Sequence, residues 1–190
     1  MKNFDNAREG AEELKRRLED VDLNVDAEGV VHLRGKVLAN RDLSGLDLTG
    51  IDFSGADLFG SDLSNSSFVG VNLTDAKLCG TKLHGAEFLD ACLLRTDLAE
   101  AQGENVGFAR ADLREVNAVG ARLTNGSWSE ACLEKANFGG ATLAGGRFRG
   151  ADMSSARFVR ADMRRCDLAM AKLDQTNFHL ADLRGSTMPE

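Results

Sequence analysis

A large apolar residue recurs at every fifth position from Leu43 to Met188, and the register never slips. This run has 30 such positions, and 28 of them hold Leu, Phe, Met or Trp, with Gly103 and Ala118 as the exceptions. The residue two places earlier is alanine in 15 of the 30 units, and the residue between is Asp or Asn in 15. A period of five fits neither the period of about 3.6 of a helix nor the alternation of a strand. The chain must therefore fold by repeating a five-residue unit.

Within each unit the small residue and the large residue share one face, as in a strand of three residues. The two residues that follow must turn a corner to restore the phase. Glycine is frequent at the second corner position, as at Gly45, Gly50 and Gly55, and it suits a turn that visits positive φ. The sequence therefore predicts that each unit is one short side followed by one corner.

Units such as Ala56-Asp57-Leu58 and Ala136-Asn137-Phe138 resemble the pentapeptide-repeat consensus, Ala-Asp/Asn-Leu/Phe-x-x. The resemblance covers residues 41–190. It implies an all-β solenoid, a right-handed quadrilateral β-helix with four units per coil, in which residues n and n+20 stack. The repeat then makes about 7.5 coils, and a strand spacing of about 4.8 Å gives a rod of roughly 36 Å.

Residues 1–40 do not repeat, and we expect them to form an N-terminal cap, because the terminal repeats of a solenoid need one. Asn6 and Glu9 have capping-box spacing, and residues 21–25 and 30–33 predict a short hairpin. An amphipathic helix is predicted from an apolar stripe of Ala7, Ala11, Leu14, Leu18 and Val21. We expect this helix to cap the solenoid, and binding of a partner is its alternative role.

The two exceptions to the repeat fall in one coil and would leave a hole in its packing. Val106 and Val116 stand in that coil where alanine is usual, and Trp128 and Phe138 are large enough to lean in from the next coil. Interiors tolerate changes that conserve total volume. We therefore expect internal compensation, with a functional kink or a partner site as the alternative.

The residues offer no catalytic, metal or cofactor site. The four cysteines show no CxxC pairing, and the three histidines are scattered. Eleven aspartates occupy the position before the large residue, which the repeat explains. A filled four-sided rod offers flat faces instead of the pocket that an enzyme needs. With no apolar leader and no run of about 18 apolar residues, we expect a cytoplasmic protein with free thiols.

The charges are unevenly distributed along the chain, whose net charge is −7. Residues 41–75 hold six acids against Arg41 alone. Farther on, arginines outnumber acids, so the rod is electrically polar. We call the first group the acidic collar: Asp42, Asp47, Asp52, Asp57 and Asp62. We call the second group the basic belt: Arg147, Arg149, Arg157, Arg160, Arg164 and Arg165.

The resemblance extends to the Qnr group of quinolone-resistance proteins, acidic dimeric rods that imitate DNA and bind DNA gyrase or topoisomerase IV. It implies that the acidic collar would carry such an interaction. The basic belt and the uninterrupted register, without inserted loops, instead favour a scaffold or adaptor for another protein. Contact of the belt with nucleic acid or an acidic protein is a third alternative. We also predict a tail-to-tail homodimer through Leu173, Phe178, Leu183 and Met188.

Overall fold

The computed structural model describes residues 12–25 and 31–190 of the chain. Residues 12–17 form a helix, α1, and strand β1 (Asn24–Val25) pairs antiparallel with strand β2 (Val31–His32). These elements lie where the sequence predicts a helix and a hairpin.

Two leucines attach the helical segment to the rod. Leu14 and Leu18 are fully buried and belong to the same apolar core as the repeats. The capping-box residues Asn6 and Glu9 lie outside the described residues. The capping function itself stays a prediction.

Every fifth residue from Gly35 to Gly185 has positive φ and forms the second corner position of its unit. Eighteen of these residues are not glycine, with φ between 55° and 60°. The left-handed conformation costs such a residue roughly 1–2 kcal/mol. Hydrogen bonds close the corners, as from the Ala56 N–H to the Phe53 carbonyl at 2.9 Å. The repeat therefore imposes the predicted corner even where the side chain disfavours it.

The residue before each large residue forms a parallel bridge with the residue 20 positions later, as between Asp42 and Asp62. Strands β3 (Gln102–Glu104) and β4 (Arg122–Thr124) pair in the same register. Outside β3 and β4, each side of a coil pairs with the next coil through a single residue, because each side is only three residues long. Four units therefore complete one coil, as the sequence resemblance implies.

The ladder of bridges begins before residue 41. His32 pairs with Asp52 and Val37 with Asp57, so two units precede the boundary that the repeat pattern predicts. Val31 and Lys36 occupy the positions where alanine is usual, which hides these units in the sequence. Backbone pairing does not need the consensus side chains.

We name the four sides by their bridged ladders. Side A begins with Asp42 and Asp62, side B with Asp47 and Ser67, side C with Asp52 and Asn72, and side D with Asp57 and Lys77. Sides A and C are opposite each other, as are sides B and D. Corner AB joins sides A and B, and the other corners are named likewise.

A ladder of stacked rings fills one wall of the interior. Phe68, Phe88, Phe108 and Trp128 lie one coil apart, with successive ring centroids separated by 4.8, 4.9 and 4.4 Å. Phe148 continues the ladder at 5.6 Å from Trp128. Such aromatic pairs contribute roughly 0.5–1.5 kcal/mol beyond the burial of their area.

The Val106 side chain and the Leu83 backbone occupy the space beside Gly103. A Cβ on Gly103 would lie 2.7 Å from Cγ2 of Val106 and 2.9 Å from the Leu83 carbonyl carbon. The absence of a side chain at Gly126 leaves space for the Trp128 ring, because a Cβ there would lie 3.0 Å from Nε1 of Trp128. The first contact supports the predicted compensation by Val106, whereas compensation by Val116, Trp128 and Phe138 stays a prediction.

Trp128 offers a test of this packing, because its buried indole N–H has no hydrogen-bond partner in the described part of the chain. An unsatisfied buried donor costs about 1–3 kcal/mol. We expect the double variant Trp128→Phe with Gly126→Ala to unfold at higher urea concentration, with a gain of about 1–2 kcal/mol. The new methyl group fills the space that the indole leaves. Circular dichroism measures the transition.

The single variant Gly126→Ala is the control for that experiment. Its methyl group would meet the indole nitrogen, so it should lower the urea midpoint. A double variant less stable than the wild type would contradict the proposed volume exchange.

Candidate interaction surfaces

The acidic collar surrounds one end of the rod. Asp42, Asp47, Asp52 and Asp57 lie on sides A, B, C and D of one coil, and Asp62 stacks on Asp42. The ring of carboxylates expected from the sequence is therefore present in space. Whether a partner binds it stays a prediction.

Each collar aspartate also stabilises its own corner. The Oδ1 atom of Asp47 accepts a hydrogen bond from the Thr49 N–H at 3.1 Å, and Asp52 accepts one from the Ser54 N–H at 2.9 Å. Asn137 makes the same bond with the Gly139 N–H at 3.2 Å. A neutral amide oxygen therefore makes this corner bond as a carboxylate does, so the bond does not require a negative charge.

Cations neutralise part of the collar. Asp42 lies 3.4 Å from Arg17, Asp57 lies 3.7 Å from Lys77, and Asp62 lies 3.4 Å from Lys82. Within residues 12–25 and 31–190, Asp47 and Asp52 have no cation within the 4.0 Å that defines a salt bridge. The uncompensated negative charge is therefore concentrated on sides B and C.

The Asp42 carboxylate is also stabilised by its own turn. Hydrogen bonds from the Ser44 side chain and backbone, aided by Arg17, hold the pKa of Asp42 below its usual value. This carboxylate is charged at neutral pH.

The basic belt encircles the rod instead of forming one patch. Arg147 lies on side B, whereas Arg157 lies on the opposite side D. Arg164 and Arg165 follow Asp162 at corner AB, and Arg160 occupies corner DA. A flat partner therefore contacts only part of the belt at once.

Most of the belt has no carboxylate partner. Arg164 is its only member paired with an acid in the described region, at 2.7 Å from Asp162. Elsewhere on the rod, acids and bases stack in alternation, as in Asp75 with Arg95 and Asp90 with Arg110, each pair at 2.7 Å. The belt is therefore a source of unpaired positive charge.

The C-terminal coils expose part of the core. Leu168 is fully buried, but Leu173, Phe178 and Leu183 are only partly buried against the core. Met188 is 45% exposed and Leu180 is 64% exposed. The residues that the sequence assigns to a dimer end are thus brought together at one end of the rod.

All four cysteines are free thiols: Cys79, Cys92, Cys132 and Cys166. Burial raises the pKa of Cys166 to about 11. No cluster of His, Cys, Asp and Glu that could hold a metal ion occurs among the described residues. Over the same residues, no helix has the length and apolarity of a bilayer span.

The family of the chain follows from its repeats. A family model for pentapeptide repeats matches eight copies over residues 38–75, 66–102 and 131–169. These segments cover more than half of the chain, which therefore belongs to the pentapeptide-repeat family. The fold is the right-handed quadrilateral β-helix of that family. Comparison with curated proteins gives no match.

Solved structures of the same family are similar to this chain. One is HetL, a pentapeptide repeat protein involved in heterocyst differentiation regulation from the cyanobacterium Nostoc sp. strain PCC 7120. It has 31% sequence identity to this chain, and the match covers 84% of this chain and 77% of HetL with a TM-score of 0.47. A trypsin-treated variant of QnrB1, a plasmid-mediated fluoroquinolone resistance protein, has 21% identity over 82% of this chain and 85% of its own, with a TM-score of 0.37. A protein of the Arabidopsis thaliana thylakoid lumen has 25% identity over 70% and 71%, with a TM-score of 0.24.

Proposed function

We propose that this chain is a non-enzymatic rod that binds another protein, as a scaffold or adaptor in the cytoplasm. The observation that supports the proposal is the filled interior, in which the large side chains from Leu43 to Leu168 are buried. The outer sides then supply all contacts. Their charge changes from acidic to basic along the rod, which favours a partner that binds in one orientation.

Cross-linking of the tagged rod in cell extract, followed by reconstitution of each captured pair from purified proteins, tests this function. We expect a stoichiometric complex in size-exclusion chromatography with light scattering. Failure of every captured protein to form a complex with the purified rod would contradict the proposal.

The two ends of the rod have different roles in this proposal. The residues that precede the first bridged unit at His32 cap one end, which the burial of Leu14 and Leu18 in the core supports. The other end binds a second copy tail to tail, because Phe178, Leu183 and Met188 present apolar surface there. The resulting homodimer is a two-fold rod of about twice the length.

A second candidate function is DNA mimicry toward DNA gyrase or topoisomerase IV, with protection against quinolones or toxins. The unpaired carboxylates of Asp47 and Asp52 favour it, because they present negative charge on adjacent sides. The resemblance to Qnr proteins supports it, and the basic belt does not. A supercoiling assay with gyrase, with and without a quinolone, distinguishes this function from a scaffold.

If the chain acts on a topoisomerase, removal of the collar charges should abolish the effect. We expect the quadruple Asp→Asn variant of Asp42, Asp47, Asp52 and Asp57 to lose all activity in that assay, because the enzyme's DNA-binding surface requires negative charge. Asparagine keeps the corner hydrogen bond, so the fold is retained.

A matched control removes four charges outside the collar, farther along the rod. The corresponding aspartates, one on each side of the rod, also accept corner hydrogen bonds: Asp162, Asp167, Asp152 and Asp97. Their Asp→Asn variant should keep the effect. An equal loss of the effect on gyrase in both variants would contradict DNA mimicry, as would an effect that does not depend on salt concentration.

A further inference from the structure

Corner AB contains a groove with a volume of 640 Å³ in the arginine-rich part of the rod. The groove exists because Ala144 and Gly145 have almost no side chain between two coils with larger ones. Its lining consists of Thr124, Asn125, Ala144, Gly145, Arg164, Arg165 and Arg184. Its volume lies within the range of about 300–1,000 Å³ that is typical of small-molecule sites.

Two arginines of the groove are held in position by aspartates. Arg164 donates from Nε and Nη2 to Asp162 at 2.8 and 2.7 Å. Arg184 donates from Nε and Nη2 to Asp182 at 2.9 and 2.6 Å. A guanidinium has five N–H donors, so each arginine keeps unused donors in a fixed orientation. The aspartates offset the charge of these two arginines, but they leave further N–H donors free and fixed in direction.

Arg165 supplies the unpaired charge of the groove. It makes no salt bridge or side-chain hydrogen bond within the described part of the chain, and glycine occupies the positions directly above and below it, Gly145 and Gly185. Thr124 and Asn125 add a hydroxyl and an amide that also lack side-chain partners there. The arginines therefore supply the charged donors of the groove, whereas Oδ1 of Asn125, an acceptor, lies against Gly145.

The lining defines the chemistry of the ligand. Guanidinium groups recognise phosphoryl oxygens by paired hydrogen bonds. Arg164 and Arg184 lie one coil apart, about 4.8 Å, so they would contact different phosphoryl groups of one extended anion. The groove has no aromatic side chain on which a base could stack. We propose that the corner AB groove binds a small inorganic oligophosphate, independently of any protein partner.

Titration of the full chain with sodium triphosphate at constant ionic strength tests the proposal, with calorimetry as the measurement. We expect saturable binding of one triphosphate per chain, and weaker binding of inorganic phosphate. The variant Arg165→Gly should lower the affinity at least about tenfold, because a hydrogen bond to a charged group is lost. Glycine is the residue that this positive-φ corner position favours, so the fold is not damaged.

Arg160→Gly is the matched control. Arg160 also has positive φ and unpaired charge, but it lies at corner DA outside the groove. This variant should bind triphosphate within about twofold of the wild type. Absence of saturable binding by the wild type, or equal weakening by both variants, would overturn the proposal, because the second outcome indicates only general attraction.

Discussion

Replacement of Phe108 by alanine is expected to lower the free energy of unfolding by about 3–5 kcal/mol. The ring is fully buried and stacks on Phe88 at 4.9 Å and on Trp128 at 4.4 Å. Backbone hydrogen bonds between coils fix the spacing of the ladder, so the neighbouring rings cannot move together to close the cavity. Urea unfolding followed by circular dichroism gives the change in stability.

Phe59→Ala is the control, because it deletes the same ring from the outer surface. Phe59 is 51% exposed at corner DA, so its loss should cost less than about 1 kcal/mol. The five-residue register assigns Phe108 to the interior and Phe59 to the outer surface. Similar losses in both variants would contradict the assignment of the central residue to the interior.

The five-residue period alone predicts which side chains face inward and where the chain turns. From Leu43 to Leu168 every large residue of the repeat is buried; Gly103 and Ala118 are the two positions without one. The second corner residue of every unit from Gly35 to Gly185 has positive φ. The period does not predict how many units form a coil, because a three-sided coil would satisfy the same alternation. That number came from the resemblance to known repeats and is confirmed by the bridges 20 residues apart.

The candidate surfaces depend on contacts that the linear sequence does not show. Arg147 and Arg157 are close in sequence, yet the four-sided coil places them on opposite sides. The groove at corner AB arises from Ala144 and Gly145, which mark no motif in the sequence. It becomes visible only when residues 20 apart, such as Arg164, are placed beside them.

The charges at the C-terminal end are paired within the chain and not across an interface. Arg164 and Arg184 are 20 residues apart and stack near the dimer end, where they would repel a second copy unless an acid such as Asp162, Asp182 or Glu190 pairs with them across the interface. In the structure Asp182 contacts both, at 3.7 Å from Arg164 and 2.6 Å from Arg184. These pairs hold the pKa of Asp182 at about 2. Arg164 and Arg184 are therefore paired within one chain, and their stacking does not oppose a dimer.

Met188→Asp should convert the proposed tail-to-tail dimer into a monomer of 20.4 kDa. Met188 is 45% exposed beside the partly buried Leu183, so the dimer would bury it in an apolar contact. In a dimer, a carboxylate at position 188 would be dehydrated and would face the same carboxylate of the second copy. The loss of hydration and the repulsion between the two charges both oppose association. Light scattering at micromolar concentration measures the mass.

Val37→Asp is the matched control for this experiment. Val37 is 70% exposed in the first coils, far along the rod from Met188, so the same new charge at this position should leave the dimer intact. A wild-type particle of 20.4 kDa at all accessible concentrations would refute the dimer. A dimer that survives Met188→Asp but not Val37→Asp would move the interface to the N-terminal end, where Leu14 and Leu18 attach the helix to the core.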